Sequence, residues 1–367
     1  MKIDIEKLVP QNWKVEKIVD NKIRISYVNK GRGSSPKPFI LPKSIEVDEK
    51  FVEALSMYLG DGKLSPDLKH LGFSSIDMDL SKFILDFFVK RFNISLKDMT
   101  ISIRFKAFKQ EVLENWAKFL NVPISKLKVQ MTQRSKNESC EMEISGTIFR
   151  ILFEKITDEF MKSDFLSNQE LRRAFLRGLF AAEGCIAVNR KENYIVCMNY
   201  NLCYDEDDLS NLIKKALDIE GISYSESKRE SDKSLLIQIT NWQNYLKMWK
   251  MDVFRLNARK EYSFLKKLQV TRFSCKVTPN IKERLLNVNH FSHRQIAFLI
   301  GVGPATLCHI VNNKIEYISV EYIIPLAKIA SVPLEEVKQN ILDFRVNDVT
   351  PVNDKEFMDF IFNLKLA

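Results

Sequence analysis

Short apolar runs interrupted by charges open the chain, as in KIRISYV at residues 22–28, and predict one or two strands in residues 1–50. The GRGSSPKP stretch, Gly31–Pro38, reads as a flexible basic loop, either solvated or in contact with phosphate. Near Val47 the period becomes helical and stays so through FVEALSMYLG to Gly60. HLGFSS then predicts a strand, LSKFILDFFVKRF a helix, TISIRF a strand and QEVLENWAKFL a helix. After a variable stretch, CEMEISG predicts a strand and IFRILFEKI a helix. A second series starts at Ser167, where Ser167 and Glu170 have capping-box spacing. It runs LRRAFLRGLFAAEG (helix), CIAVNR and YIVCMNYN (strands), DLSNLIKKALDIEG (helix), LLIQITN (strand) and WQNYLKMW (helix). The same order of elements twice is an internal duplication, matched by pattern rather than identity. Short helical segments fill Thr278 to about Phe344, and EFMDFIFNLKL near the end is an amphipathic stretch expected to pack on the body.

Each series begins with a helix that ends in an acid followed by glycine: Asp61-Gly62 in the first, Glu183-Gly184 in the second. Aligned on the acid, small residues fall four apart in both, Ser56 and Gly60 against Gly178 and Ala182. That spacing puts them on one helix face and lets two helices approach closely. Packed side by side, the helices would bring Asp61 and Glu183 together where helix C-termini already carry partial negative charge. Such a pair calls for a positive charge between its members, and a hard divalent cation with room for phosphate suits it. Singly, each motif could be an ordinary helix end with a glycine cap and a solvated acid. The matched pair favours the site.

Composition narrows the partner. With 56 Lys+Arg against 47 Asp+Glu, the formal charge is +9, which favours a polyanion. The six cysteines form no C-x-x-C pair and the four histidines are scattered, so no zinc site is expected, and most of the cysteines are expected as buried thiols. No signal-peptide core and no run of ~18–20 apolar residues is present, so a cytoplasmic protein without a membrane partner is expected.

The two acid-ended segments resemble the LAGLIDADG motifs of single-chain homing endonucleases, and the resemblance covers roughly residues 46–272. It implies an α+β fold of two pseudo-symmetric αββαββ units packed through the motif helices, with an antiparallel saddle in the DNA major groove. It also implies that Asp61 and Glu183 are the catalytic metal ligands for Mg²⁺ or Mn²⁺, with Gly60 and Ala182 beside them at the metal site holding the close helix contact. Ser56 stands where the family often has Gly. No motif anchors the family's accessory basic residue; Lys63, Lys69 and Lys191 are the candidates. For DNA contact the strand charges Arg104, Lys106, Arg190, Lys191, Lys228 and Arg229 are chosen, each open to a reading as solvated surface charge.

Residues 293–314, HRQIAFLIGVGPATLCHIVNNK, fit a helix-turn-helix template. Ala297 takes the small position where helices cross, Gly301 the turn, and Leu307 and Ile310 the packing positions of the second helix, with Pro304 in its first turn. The span Thr278–Phe344 resembles the Cro/phage-repressor domain. The resemblance turns Ala305, Thr306, His309 and Asn312 toward the major groove and Asn313 and Lys314 toward the backbone. The expected organisation is therefore an N-terminal extension (1–45), two units (46–165 and 166–273), an all-α helix-turn-helix domain (274–345) and a helical tail (346–367). The expected activity is that of a monomeric, site-specific double-strand DNA endonuclease. A DNA-binding transcription regulator on the same scaffold, resembling a family of bacterial regulators, and a maturase acting on intron RNA are the alternatives.

Overall fold

The computed structural model describes the chain apart from residues 19–20, 29–35, 65–68, 134–136, 189–194, 204–206, 232, 289–290 and 367. The N-terminal region holds β1 (Lys2–Asp4), α1 (Ile5–Leu8), β2 (Trp13–Ile18), β3 (Lys22–Tyr27), β4 (Phe39–Pro42) and β5 (Ser44–Glu46). These are five strands where the sequence predicts one or two. The runs are too short to stand alone and are held as the ladders β2-β3-β4 and β1-β5. Most of the basic loop read at Gly31–Pro38 lies outside the described residues.

The first motif helix is α2 (Glu49–Asp61). It starts after Val47 because Asp48 caps it, accepting from the Phe51 N–H at 2.9 Å. There follow β6 (Gly62–Leu64), β7 (His70–Ser75), α3 (Met78–Arg91), β8 (Met99–Phe105), α4 (Gln110–Leu120), β9 (Leu127–Met131), β10 (Ser139–Ser145) and α5 (Thr147–Lys162). The sheet order is β6-β7-β10-β8-β9. An entirely antiparallel sheet is not what forms: β9, within the stretch read as variable, pairs parallel to β8. A parallel neighbour needs a crossover, and α4 supplies it.

The second series is α6 (Gln169–Glu183), β11 (Gly184–Val188), β12 (Ile195–Cys203), α7 (Asp207–Ile219), β13 (Tyr224–Arg229), β14 (Ser234–Ile239), α8 (Trp242–Lys250) and α9 (Ala258–Val270). Its strand order is β11-β12-β14-β13, which the first sheet matches once β9 is set aside. The Ser167–Glu170 capping box does not form. Asn168 caps α6, accepting from the Leu171 N–H at 3.1 Å, while the Ser167 hydroxyl donates to the Asp164 carbonyl at 2.7 Å.

The chain continues as β15 (Phe273–Val277), α10 (Pro279–Leu286), α11 (His293–Leu299), α12 (Pro304–Val311), β16 (Ile318–Ser319), α13 (Val320–Ile329), α14 (Leu334–Gln339), β17 (Ile341–Val346), β18 (Thr350–Pro351) and α15 (Lys355–Leu366). The helical string is thus bracketed by strands, in the sheet β16-β15-β17-β18. Phe273 and Phe344 stack across β15 and β17 at 5.9 Å, and Phe357 of α15 meets Phe273 at 6.0 Å, so the amphipathic tail is part of this body.

By compactness the chain divides into Met1–Cys185, Asn199–Gln238 and Met248–Glu261 as one unit, and Ile186–Met198, Ile239–Lys247 and Tyr262–Ala367 as the other. Both motif helices, and residues 257–260 that bond at the end of α6, belong to the first unit. Its core is aromatic: Phe88, Phe92, Phe149 and Phe153 are buried, with ring centroids 5.3–6.2 Å apart. Of the six cysteines, none in a disulfide, Cys140, Cys197 and Cys275 are buried, and Cys185, Cys203 and Cys308 are exposed, so burial of most thiols does not hold. Among the described residues no single helix is long and apolar enough to cross a membrane.

Candidate catalytic site and nucleic-acid surface

Helices α2 and α6 cross through their small residues. A methyl on Gly178 would stand 2.3 Å from the Glu53 carbonyl oxygen and 2.8 Å from Ser56 Cβ. One on Gly60 would stand 2.7 Å from Ala182 Cβ and 2.9 Å from Glu183 Cγ. Backbone and short side chains therefore fill the interface, and Ser56 is accommodated there with its hydroxyl buried and unbonded. Asp61 and Glu183 are the last residues of their helices, both half-buried. Gly62 and Gly184 cap the two helices with extended backbone, φ −77° and −69°. They are glycine for room: a methyl would lie 2.2 Å from the Tyr58 oxygen and 2.3 Å from the Phe180 oxygen. The chain thus turns directly from each helix into β6 or β11.

Four residues at the start of α9 surround this point, and sequence reading missed all of them. Lys260 is buried, and its ammonium donates to the carbonyls of Phe180, Ala181 and Ala182 at 2.8, 2.7 and 3.0 Å. The Phe180 carbonyl also accepts from the Gly184 N–H that caps α6, whereas those of Ala181 and Ala182 lie in the last turn, where a helix leaves carbonyls without an intrahelical donor. Asn257 caps α9, accepting from the Lys260 N–H at 3.1 Å, and its amide donates to Asp77 at 2.9 Å and to the Ala181 carbonyl at 3.2 Å. Arg259 clamps Asp77 through two bonds of 2.7 and 2.9 Å, and the Ala258 N–H donates to Asp79 at 3.3 Å. One signal was available. Arg259 and Lys260 sit in the first turn of a helix, where the macrodipole disfavours cations, so some other partner had to hold them.

The electrostatics follow from burial and these partners. Burial pushes the Asp61 carboxyl up; the charge of Lys260 pulls it back and the nearby Asp77 pushes it further. Burial also acts to raise Asp77, but the bonds from Arg259 and Asn257 and the charges of Arg259 and Lys260 outweigh it and hold that carboxyl low. Lys260 is pushed down to about 8 by burial, against the pull of Asp61, Asp77 and Glu183.

Asp61 and Glu183 are hard oxygen donors, and among the described residues no group of three His, Cys, Asp or Glu side chains could hold a metal. Such a donor set fits an ion that keeps most of its ligands as water and phosphate, as Mg²⁺ does. The Ala182 carbonyl already accepts from Lys260. Lys63 is exposed on β6, and its carbonyl accepts from the Tyr58 hydroxyl at 2.9 Å; Lys69 is exposed just before β7. Lys191 and Arg190 lie outside the described residues.

The first sheet has one apolar face, with Leu71, Phe73, Ile101, Ile103, Met142 and Ile144 buried, and one polar face. The polar face is mixed in charge rather than basic. Glu141 and Glu143 stand on its central strand β10. Glu141 pairs with the Arg104 guanidinium, and Glu143 lies 3.0 Å from His70 Nδ1. Lys106 is exposed beyond the end of β8, and Lys228 and Arg229 are exposed at the end of β13.

In the other unit, α11 and α12 turn through 117°. Gly301 in the turn has φ +72°, the left-handed conformation that favours glycine. Ser292 forms a full capping box with Gln295, and Pro304 is in the first turn of α12. Ala297, Leu307 and Ile310 are buried, whereas Ala305, His309, Asn312, Asn313 and Lys314 are exposed and Thr306 is half-exposed. The Asn313 carbonyl oxygen accepts from Lys282 at 2.7 Å, and the Asn312 amide contacts Cys308 Sγ at 3.2 Å.

Residues 170–248 match the family model of a LAGLIDADG-like domain. Three solved structures overlap the chain at low similarity. Mesophilic variants of the homing endonuclease I-DmoI are 13% identical, with 57% of this chain and 98% of theirs covered and a TM-score of 0.31. I-DmoI in complex with DNA and Ca is 13% identical, with 59% and 100% covered and a TM-score of 0.32. Full-length DUF199/WhiA from Thermatoga maritima is 14% identical, with 77% and 91% covered and a TM-score of 0.33. No curated protein matches the chain.

Proposed function

We propose that the protein is a site-specific double-strand DNA endonuclease of the homing type, built from two diverged copies of one unit and acting as a monomer. The observation that carries the reading is the crossing of α2 and α6, which sets Asp61 and Glu183 at neighbouring helix ends with Gly60 against Ala182 and Glu183. Simple binding requires no pair of carboxylates gathered at one point of a phosphate-binding protein, because they repel both each other and the ligand. The LAGLIDADG-like match over residues 170–248, which contains Glu183, supports the same reading.

Asp61 and Glu183 would hold Mg²⁺ or Mn²⁺, and the bound ion supplies Lewis acidity toward the scissile phosphodiester. The chain's own contribution is arrangement. The Gly178 and Gly60 contacts fix the distance between the helices, and Lys260 fixes the end of α6 by taking up three of its carbonyls. Because the Lys260 ammonium is held on that side, it acts as a stationary positive charge beside the acids rather than as a proton donor. On this reading Lys260, and not Lys63, Lys69 or Lys191, is the accessory basic residue. The polar sheet faces carry DNA, and α11–α12 act as a helix-turn-helix in which α12 enters the major groove through Ala305, Thr306, His309 and Asn312.

A transcription regulator is the second reading. One observation favours it: Lys260 lies close enough to Asp61 and Glu183 to compensate their charge without any metal. Incubating a randomised duplex library with Mg²⁺ or Mn²⁺ and sequencing the ends separates the two. Cuts recurring at one sequence, and lost in Asp61→Asn and in Glu183→Gln, are expected. Specific binding without cutting, unchanged in both variants, establishes the regulator instead.

A further inference from the structure

The polar face of the first sheet carries a side-chain network centred on Arg104. Register places Glu141 of β10 opposite Ser102 of β8, Ser102 opposite Lys128 of β9, and Arg104 opposite Gln130. Arg104 Nε donates to Gln130 Oε1 at 3.2 Å, and Gln130 Nε2 donates to Ser102 Oγ at 3.2 Å. On its other side, an Arg104 Nη2 N–H donates to Glu141 Oε2. Arg104 is thus held from both sides by neighbouring strands of one sheet.

This arrangement is specific in two ways. A guanidinium has five N–H donors, and these bonds use one on Nε and one on Nη2, leaving the two on Nη1 and one on Nη2. One Nη1 and one Nη2 N–H among these form the end-on fork, which fits two adjacent acceptors. The local charge also bears on the partner. Lys128 of β9 and Lys63 of β6 share this face, so it is mixed in charge, but Glu141 pairs with Arg104 and Glu143 stands two residues along the same strand, so the Arg104 fork itself favours a neutral acceptor edge over a backbone anion. In the major groove the neighbouring O6 and N7 of guanine form such an edge.

We propose that Arg104 reads a guanine at one fixed position of the DNA target, with Glu141 and Gln130 as positioning residues that hold its fork. The proposal rests on the DNA-binding reading of this sheet. Pre-set geometry matters because an unrestrained arginine loses much of its rotamer freedom on binding. The strand that supplies Gln130, β9, has no counterpart in the second sheet among the described residues, so the guanine contact belongs to one half of the target only.

Selection of bound sequences from a randomised duplex pool, in buffer without divalent ions, tests this on the full chain. Wild type is compared with Arg104→Ala, Arg104→Lys, Glu141→Gln and Gln130→Ala, each first checked for an unchanged melting transition. Wild type is expected to select one position as G that both Arg104 variants release, with roughly tenfold to hundredfold lost discrimination there. The lysine variant keeps the charge and loses the fork, so it fails alongside alanine. Glu141→Gln and Gln130→Ala relax the same position in part and leave the others alone. If Arg104→Ala weakens every sequence equally and Arg104→Lys restores binding, Arg104 anchors phosphate and the inference is wrong. If Arg104→Lys folds and selects as wild type while Arg104→Ala does not fold, the role is structural and the inference is again wrong. If wild type selects no sequence at all, the DNA-binding reading itself fails.

Discussion

Lys260 is a charge in a place that charge avoids, and its titration follows from that. Burial holds its folded value near 8, below the value of about 10.5 that an exposed lysine shows. Between those two values the unfolded chain binds more protons than the folded one, so stability rises with pH across that window. Below pH 8 both states are protonated and the burial penalty is felt in full. Relative to Lys260→Met, the wild type should therefore gain up to ~3 kcal/mol from pH 8 toward 10.5, read by urea unfolding at successive pH values. A difference independent of pH would show that the ammonium is not buried at this helix end. The glycines make a second residue-scale case. A methyl at Gly178 meets the Glu53 carbonyl, which is backbone and cannot yield cheaply, so Gly178→Ala should lose about 1–3 kcal/mol. A methyl at Gly60 meets Ala182 and the Glu183 side chain instead. Gly60→Ala should then cost cleavage more than stability; equal losses in stability for the two variants would contradict this division.

At the scale of elements, α2 and α6 are registered by charge as well as by size. Arg177 and Glu53 are both buried, 2.6 Å apart, and Arg177 also reaches Glu49 at 2.6 Å and the Met251 carbonyl at 3.3 Å. Arg255 closes on Glu53 from the other side. Small residues allow the helices to come close at any of several offsets, whereas this buried pair is satisfied at one. Removing Arg177 leaves the buried Glu53 only the half-exposed Arg255, so Arg177→Met should cost up to about 3–5 kcal/mol. Glu53→Met combined with Arg177→Met should cost less than the sum, a coupling that a double-mutant cycle measures by denaturant unfolding. Strict additivity would mean that the pair does not set the register.

For the molecule as a whole, the net charge of +9 is spread over surfaces of different character. On the proposed DNA-binding reading, the Arg104 patch of the first sheet is selective rather than adhesive, because Glu141 and Glu143 stand beside it. Non-specific adhesion then falls to exposed lysines elsewhere, of which Lys314 beyond α12 is one. If it meets a phosphate, Lys314→Ala should weaken binding to all sequences alike and flatten the salt dependence by about one unit of slope. Anisotropy titrations against a fixed duplex over a range of salt give that slope. Thr306→Ala and Asn312→Ala should instead change sequence preference and leave the slope alone. The opposite pattern would remove α12 from the groove.

Much of this was open to reading along the chain, because helix and strand periods are local. α4 falls on the expected residues 110–120, β7 on 70–75, and both motif helices end on the expected acids. Sequence alone also joined Asp61 to Glu183, since two copies of one motif expose what neither shows singly. Tertiary structure decided which cation stands beside them. Lys260 stands about two hundred residues from Asp61 and reaches it only because α9 returns to the end of α6. It likewise decided that Arg104 is committed to Glu141 and Gln130. Periodicity reports the face on which a side chain lies. It carries no information on what stands opposite, and the charge, the freedom and the use of a buried lysine or a paired arginine are set by that neighbour.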